Sequence, residues 1–141
     1  MKISIRNRKI KMTDLTGSEL FKDLASFKLD DEIIDLHNSY NCIDIVFDAV
    51  VNELKIVFEH ISEAGNKVGL VFENVSIRKM SIKLNRTPDS QTLNILYRGR
   101  FEVNNVLYEY SSLQQSYFYF EFEEGDAFEV FSDKVFALKL E

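Results

Sequence analysis

The sequence predicts a mainly β fold (α+β by strict count): an antiparallel β-sandwich or strongly curved sheet with one N-terminal amphipathic helix. Three observations carry that expectation. Apolar and polar residues alternate with period two from Glu32 almost to the last residue, the spacing of half-buried strands. Twelve Phe and six Tyr with no Trp make an aromatic load that sheets bury well. One capped apolar stripe at helical spacing precedes the alternation. The 141 residues, 45% apolar and 28% charged, suit a single domain over 1–141 with one core.

The elements follow in order. Met1–Lys11 reads as a first strand, with Ile3 and Ile5 alternating against charges. Thr16-Gly17-Ser18-Glu19 has the spacing of a capping box, and Leu15 and Leu20 stand where a hydrophobic staple belongs. Leu20, Phe21, Leu24, Phe27 and Leu29 form one stripe, so a helix is expected over Gly17–Lys28. Antiparallel strands are expected from Glu32 to Glu141. Ile43, Ile45 and Phe47 share a face with Leu54, Ile56 and Phe58 across an even loop, Ala49–Asn52. Val68, Leu70 and Phe72 make the next strand. Apolar parity flips between Phe72 and Val75 and again between Ile77 and Met80, which predicts bends or bulges. Arg86–Gln91, around Pro88, reads as an exposed loop. Leu93, Ile95 and Tyr97 lead to Gly99, and Asn104-Asn105 reads as a two-residue turn between Phe101–Val103 and Val106–Tyr110. Placing Phe118, Phe120, Phe122, Phe128, Val130, Phe136, Leu138 and Leu140 on one face requires Phe122 opposite Phe128 and Val130 opposite Phe136. The result is a three-stranded meander.

Charge narrows the partners. Met1–Arg100 carries 14 acids and 15 bases, a net +1, whereas Phe101–Glu141 carries 9 acids against Lys134 and Lys139, a net −7. Phosphate binding needs a basic surface, so nucleic acid is not an expected partner. The basic cluster Lys2, Arg6, Arg8, Lys9 and Lys11 reads as solvated, edge-protecting charge on the first strand. No apolar run approaches the roughly 20 residues of a membrane helix, and no secretory apolar stretch follows Met1. With Cys42 as the one cysteine, a reducing, cytoplasmic setting is expected.

The meander's second face holds Tyr117, Tyr119, Glu121, Glu123, Glu129 and Phe131, and its register sets Glu121 opposite Glu129. Facing like charges weaken a sheet. Two readings stand: a solvated outer face, or a patch that meets Lys or Arg side chains of a partner, with the aromatics as contact area. As a general acid and base the pair lacks the burial that raises a carboxyl pKa. His37, His60 and Cys42 have no metal-ligand spacing, no nucleophile elbow is present, and the five glycines are scattered. No cofactor, no metal and no catalytic residue are expected. His60 belongs at the core rim, and His37 is expected to bond backbone where a strand begins.

Asp35-Leu36-His37-Asn38-Ser39-Tyr40, followed by Ile43–Phe47, Leu54–Phe58 and Val68–Val75, resembles the opening of small bacterial β-domain families. The ending Phe128-Glu129-Val130 with Val135–Leu140 is similar as well. Some of these families are grouped with the immunity proteins that neutralise polymorphic toxins. The resemblance implies a mostly β domain and inhibitory binding in place of catalysis. Asn38 stands where the family pattern has Asp, so a carboxylate role does not carry over there. The expected function is therefore a non-enzymatic protein-binding module for a basic protein partner, the alternative being a homodimeric structural or interaction domain.

Overall fold

The structure, a computed structural model, describes residues 11–82 and 92–140. Thirteen strands are assigned among them: β1 Met12–Asp14, β2 Ser26–Leu29, β3 Glu32–Asp35, β4 Tyr40–Asp48, β5 Glu53–His60, β6 Lys67–Glu73, β7 Ser76–Ser81, β8 Leu93–Gly99, β9 Phe101–Val103, β10 Val106–Tyr108, β11 Ser116–Phe122, β12 Ala127–Ser132 and β13 Lys134–Leu140. All pairings are antiparallel. One sheet runs β1-β13-β6-β5-β4, a second β7-β12-β11-β8, and β2-β3 and β9-β10 form two short ribbons. The predicted mainly β architecture is what forms. The expected loop over Arg86–Gln91, and all of the expected first strand but Lys11, lie outside the described residues.

The two larger sheets pack through phenylalanines. Phe72 of β6 meets Phe118 and Phe120 of β11, each at 5.7 Å between ring centroids. Phe120 stacks on its cross-strand partner Phe128 at 4.9 Å. Offset and tilted rings at these separations add attraction beyond the area they bury. Phe58, Phe72, Phe118, Phe120, Phe122 and Phe128 are all fully buried.

Several sequence expectations hold in detail. Ile45 pairs with Ile56 and Phe47 with Leu54. The chain turns at Asn74, which has a φ of 49°, and Arg78 is bulged out of the β7–β12 ladder, since Lys79 pairs with Glu129 but Ile77 with Val130. Both parity flips therefore have a physical cause. Asn104 and Asn105 both take positive φ, 51° and 66°, in the turn between β9 and β10.

The helix over Gly17–Lys28 does not form. Thr16 Oγ1, the expected capping oxygen, instead accepts from Val135 N of β13 at 2.9 Å. Phe21 N donates to Arg98 O and Leu24 N to Leu96 O, so this segment hydrogen-bonds to the edge of β8, and Phe21 takes a φ of 63°. A lone helix of this length is marginal in water, whereas an unpaired strand edge offers backbone partners at once. The sequence then enters β2.

Three face assignments are also corrected. Ile43 is the extra residue of a bulge in β4 and is 41% exposed, so Cys42 takes the core position. Asn94 is bulged in β8, which buries Leu93 and Leu96 and leaves Ile95 exposed and Tyr97 half-buried. Strands β12 and β13 do not pair. The chain leaves the second sheet at Ser132 and enters the first at Lys134, where Val135 and Ala137 face the core. Phe136, Leu138 and Leu140 lie on the outer side. Leu140 packs there against Gly69, where an added Cβ would sit 3.4 Å from its side chain.

Candidate functional site

The expected docking residues lie mostly on the outer face of the second sheet, positioned by strand alternation. β11 presents Tyr117, Tyr119 and Glu121, and β12 presents Ala127, Glu129 and Phe131, with Tyr117 opposite Phe131 and Tyr119 opposite Glu129. Glu123 stands apart, in the 3-10 turn Glu123–Gly125 that joins the two strands. That turn and Asp126, whose carbonyl accepts from Phe122 N at 2.7 Å, make the connection beyond the last ladder pair, Glu121 and Ala127, two residues longer than the three-residue loop Glu124–Asp126 that pairing Phe122 with Phe128 requires. The register moves with it. Glu121 faces Ala127, and the predicted Glu121–Glu129 opposition is relieved to a diagonal.

The carboxylates are already engaged. Glu129 Oε1 accepts from the Tyr117 hydroxyl at 2.7 Å and from the Arg78 guanidinium at 2.7 Å. The Tyr119 hydroxyl donates to Glu121 Oε1. Lys79, Ser81, Tyr119, Glu121, Ala127 and Glu129 line a hollow of about 260 Å³. Beside it Tyr119 packs on Tyr97 at 5.6 Å, and Tyr97 on Phe21 at 5.8 Å.

The other half of the face is covered. The β9–β10 ribbon crosses it with Phe101 set 4.7 Å from Phe131 and 5.8 Å from Tyr117, leaving Tyr117 buried. Sequence reasoning missed Phe101, Arg78 and Tyr97. Arg78 had a signal, the parity flip that marks its bulge. Phe101 had none, because alternation within a strand does not say across which sheet a ribbon folds.

Burial, and behind it the bond to Glu129, pushes the Tyr117 phenol far above its ordinary value. Burial followed by the Glu121 bond pushes Tyr119 up to about 12, and burial raises Tyr40. A phenol whose pKa is raised by folding stabilises the fold below the unfolded value near 10 and loses that contribution as pH climbs through the folded value. In an alkaline titration followed by phenolate absorbance, Tyr40, Tyr117 and Tyr119 should therefore ionise late, with unfolding on that side. Tyr40, Tyr117 and Tyr119 titrating near 10 in an intact fold, as free phenols do, would contradict this geometry.

The histidines serve the scaffold. His37 Nδ1 donates to Leu93 O at 2.7 Å, tying the turn after β3 to the start of β8, as expected. Asn38 donates through its backbone N and its Nδ2 to the Asp35 carboxylate and holds that group below its usual range. His60 sits half-buried against Tyr40, 5.1 Å away edge to face, at the predicted rim. Among the described residues no group of three or more His, Cys, Asp or Glu is placed to hold a metal ion, and no helix is long and apolar enough to cross a membrane. Comparison of the chain with protein-family models, with curated proteins and with solved structures finds no match.

Proposed function

We propose that the chain is a non-enzymatic protein-binding module, of the inhibitory kind that the immunity-family resemblance implies, and that it docks a basic protein partner on the uncovered half of this outer face. The observation that carries the reading is the 260 Å³ hollow with Glu121 and Glu129 among its lining residues and the Tyr119 ring beside them. A Lys or Arg head entering it would meet carboxylate oxygens and an aromatic wall, the pairing that anchors many interfaces. The net −7 of Phe101–Glu141 would steer such a partner and make association fast and salt-sensitive. Because Arg78 already neutralises part of Glu129 and Lys79 lines the same hollow, Glu121 is the acid of the hollow left to meet the cation, with Glu123 on the adjoining turn adding to the negative field. The alternative, a homodimer built on the meander's aromatics, has less to work with, since Tyr117 and Phe131 already pack beneath Phe101.

The test is capture from native lysate at low and high salt, comparing the natural chain with Glu121→Lys/Glu123→Lys. A basic protein held by the natural chain, released by salt and lost with the variant, is the expected result. Circular dichroism should be the same for both chains. Equal capture by both would overturn the reading.

A further inference from the structure

We propose that the β9–β10 ribbon is a strap, closed over the aromatic half of the docking face by two arginines and able to lift as a unit while the sheet beneath stays folded. The inference rests on the docking reading for its purpose, but its mechanics stand apart. Among the described residues β9 and β10 pair only with each other. What holds them down is side-chain chemistry at two points. At the far end, Arg78 reaches from its bulge to donate to Glu102 O at 3.1 Å while pairing with Glu129, and it lies 5.9 Å from the Phe101 ring centre. At the near end, the buried Arg98 binds Glu109 at 2.6 Å and stacks 5.2 Å from the Tyr110 ring. Phe101 is the plug between them.

The packing elsewhere is loose. Val103, Val106, Leu107 and Tyr108 are all exposed, and a hollow of about 470 Å³ opens between Phe101, Val103, Tyr108, Tyr110 and Ser111. Beyond Tyr110 the chain is fixed again, by the bridge to Ser116 and by Gln115 Nε2 donating to Asn74 O at 2.6 Å. The liftable piece is therefore 101–109. Raised, it would uncover Tyr117 and Phe131 and extend the aromatic area beside the Glu121 hollow, so that a partner must displace the strap to use the whole face.

Hydrogen exchange tests this without any partner. A two-stranded ribbon is marginal by itself, so once lifted its amides exchange. Amides of 102–108 should exchange faster than those of β11 and β12, and Arg78→Ala should speed them about tenfold more with β11 and β12 unchanged. Phe101→Ser should do the same, and Arg78→Ala, which leaves the Phe101 ring in place, should also open Tyr117 to nitration relative to the exposed Tyr108. If strap and β11 amides exchange together in the natural chain, or if neither variant changes the strap alone, the ribbon is an integral layer and the proposal falls. A strap that lifts in a chain that captures no partner would instead count against the docking reading alone.

Discussion

Phe72→Ala is expected to cost about 3–5 kcal/mol of folding free energy, the range for removing a buried aromatic. Phe72 is fully buried and carries ring contacts from the first sheet to the second, stacked on Phe120 and edge-on to Phe118. Truncation removes both ring contacts and leaves a void between two hydrogen-bonded sheets, which collapse less readily than loops. Domains of this size hold about 5–15 kcal/mol in all, so the variant should sit near the edge of folding. Phe47→Ala is the control, because Phe47 is 47% exposed at the end of β4 and its loss should cost far less. Urea unfolding of both variants decides the matter. Equal midpoints would mean that the sheets are not joined through Phe72.

Ser132→Ala should lose about 1–3 kcal/mol, the cost of stranding buried hydrogen-bonding groups. Ser132 is fully buried where the chain passes from one sheet to the other. Its hydroxyl lies 2.7 Å from Glu73 O and 2.9 Å from Lys134 O, and Asp133 N donates to the same Glu73 carbonyl at 3.1 Å. The end of β6 thus grips the crossover, and alanine removes the side-chain part of that grip while the Asp133 N bond stays. Asp133→Ala, at an exposed position bonded by its side chain to Asn74, should shift the unfolding midpoint much less. A Ser132→Ala midpoint within error of the natural chain would show that the crossover is held by its strands alone.

This crossover also marks how far the sequence could be read. Side-chain parity identifies which residues of one strand share a face, and β5, β6 and the Arg78 bulge were legible on that basis. It does not identify the neighbouring strand. A short link at Ser132–Lys134 serves a hairpin or a passage between sheets equally well, and the choice is made by Glu73, far away in the chain. On β13 parity pointed to Phe136, Leu138 and Leu140, but the other face, Val135, Ala137 and Lys139, is apolar at two of its three positions, and the core takes Val135 and Ala137. The expected helix failed for the same reason: its cap and its amides were claimed by β13 and β8. For the candidate site, five of the six residues share one face as expected, but the strap over it depended on contacts that no local pattern records.

The place of β13 has a consequence for the order of assembly. It is inserted between β1 and β6, so strands from opposite ends of the described chain meet, Met12 against Leu138. Such distant pairings are slow to find. During synthesis β6 can pair with β5 at once but must wait, one edge bare, until β13 leaves the ribosome. Over that interval the nascent chain is a sheet with a gap in it, and a ribosome stalled before Lys134 would hold out an open template for any other extended segment to fill.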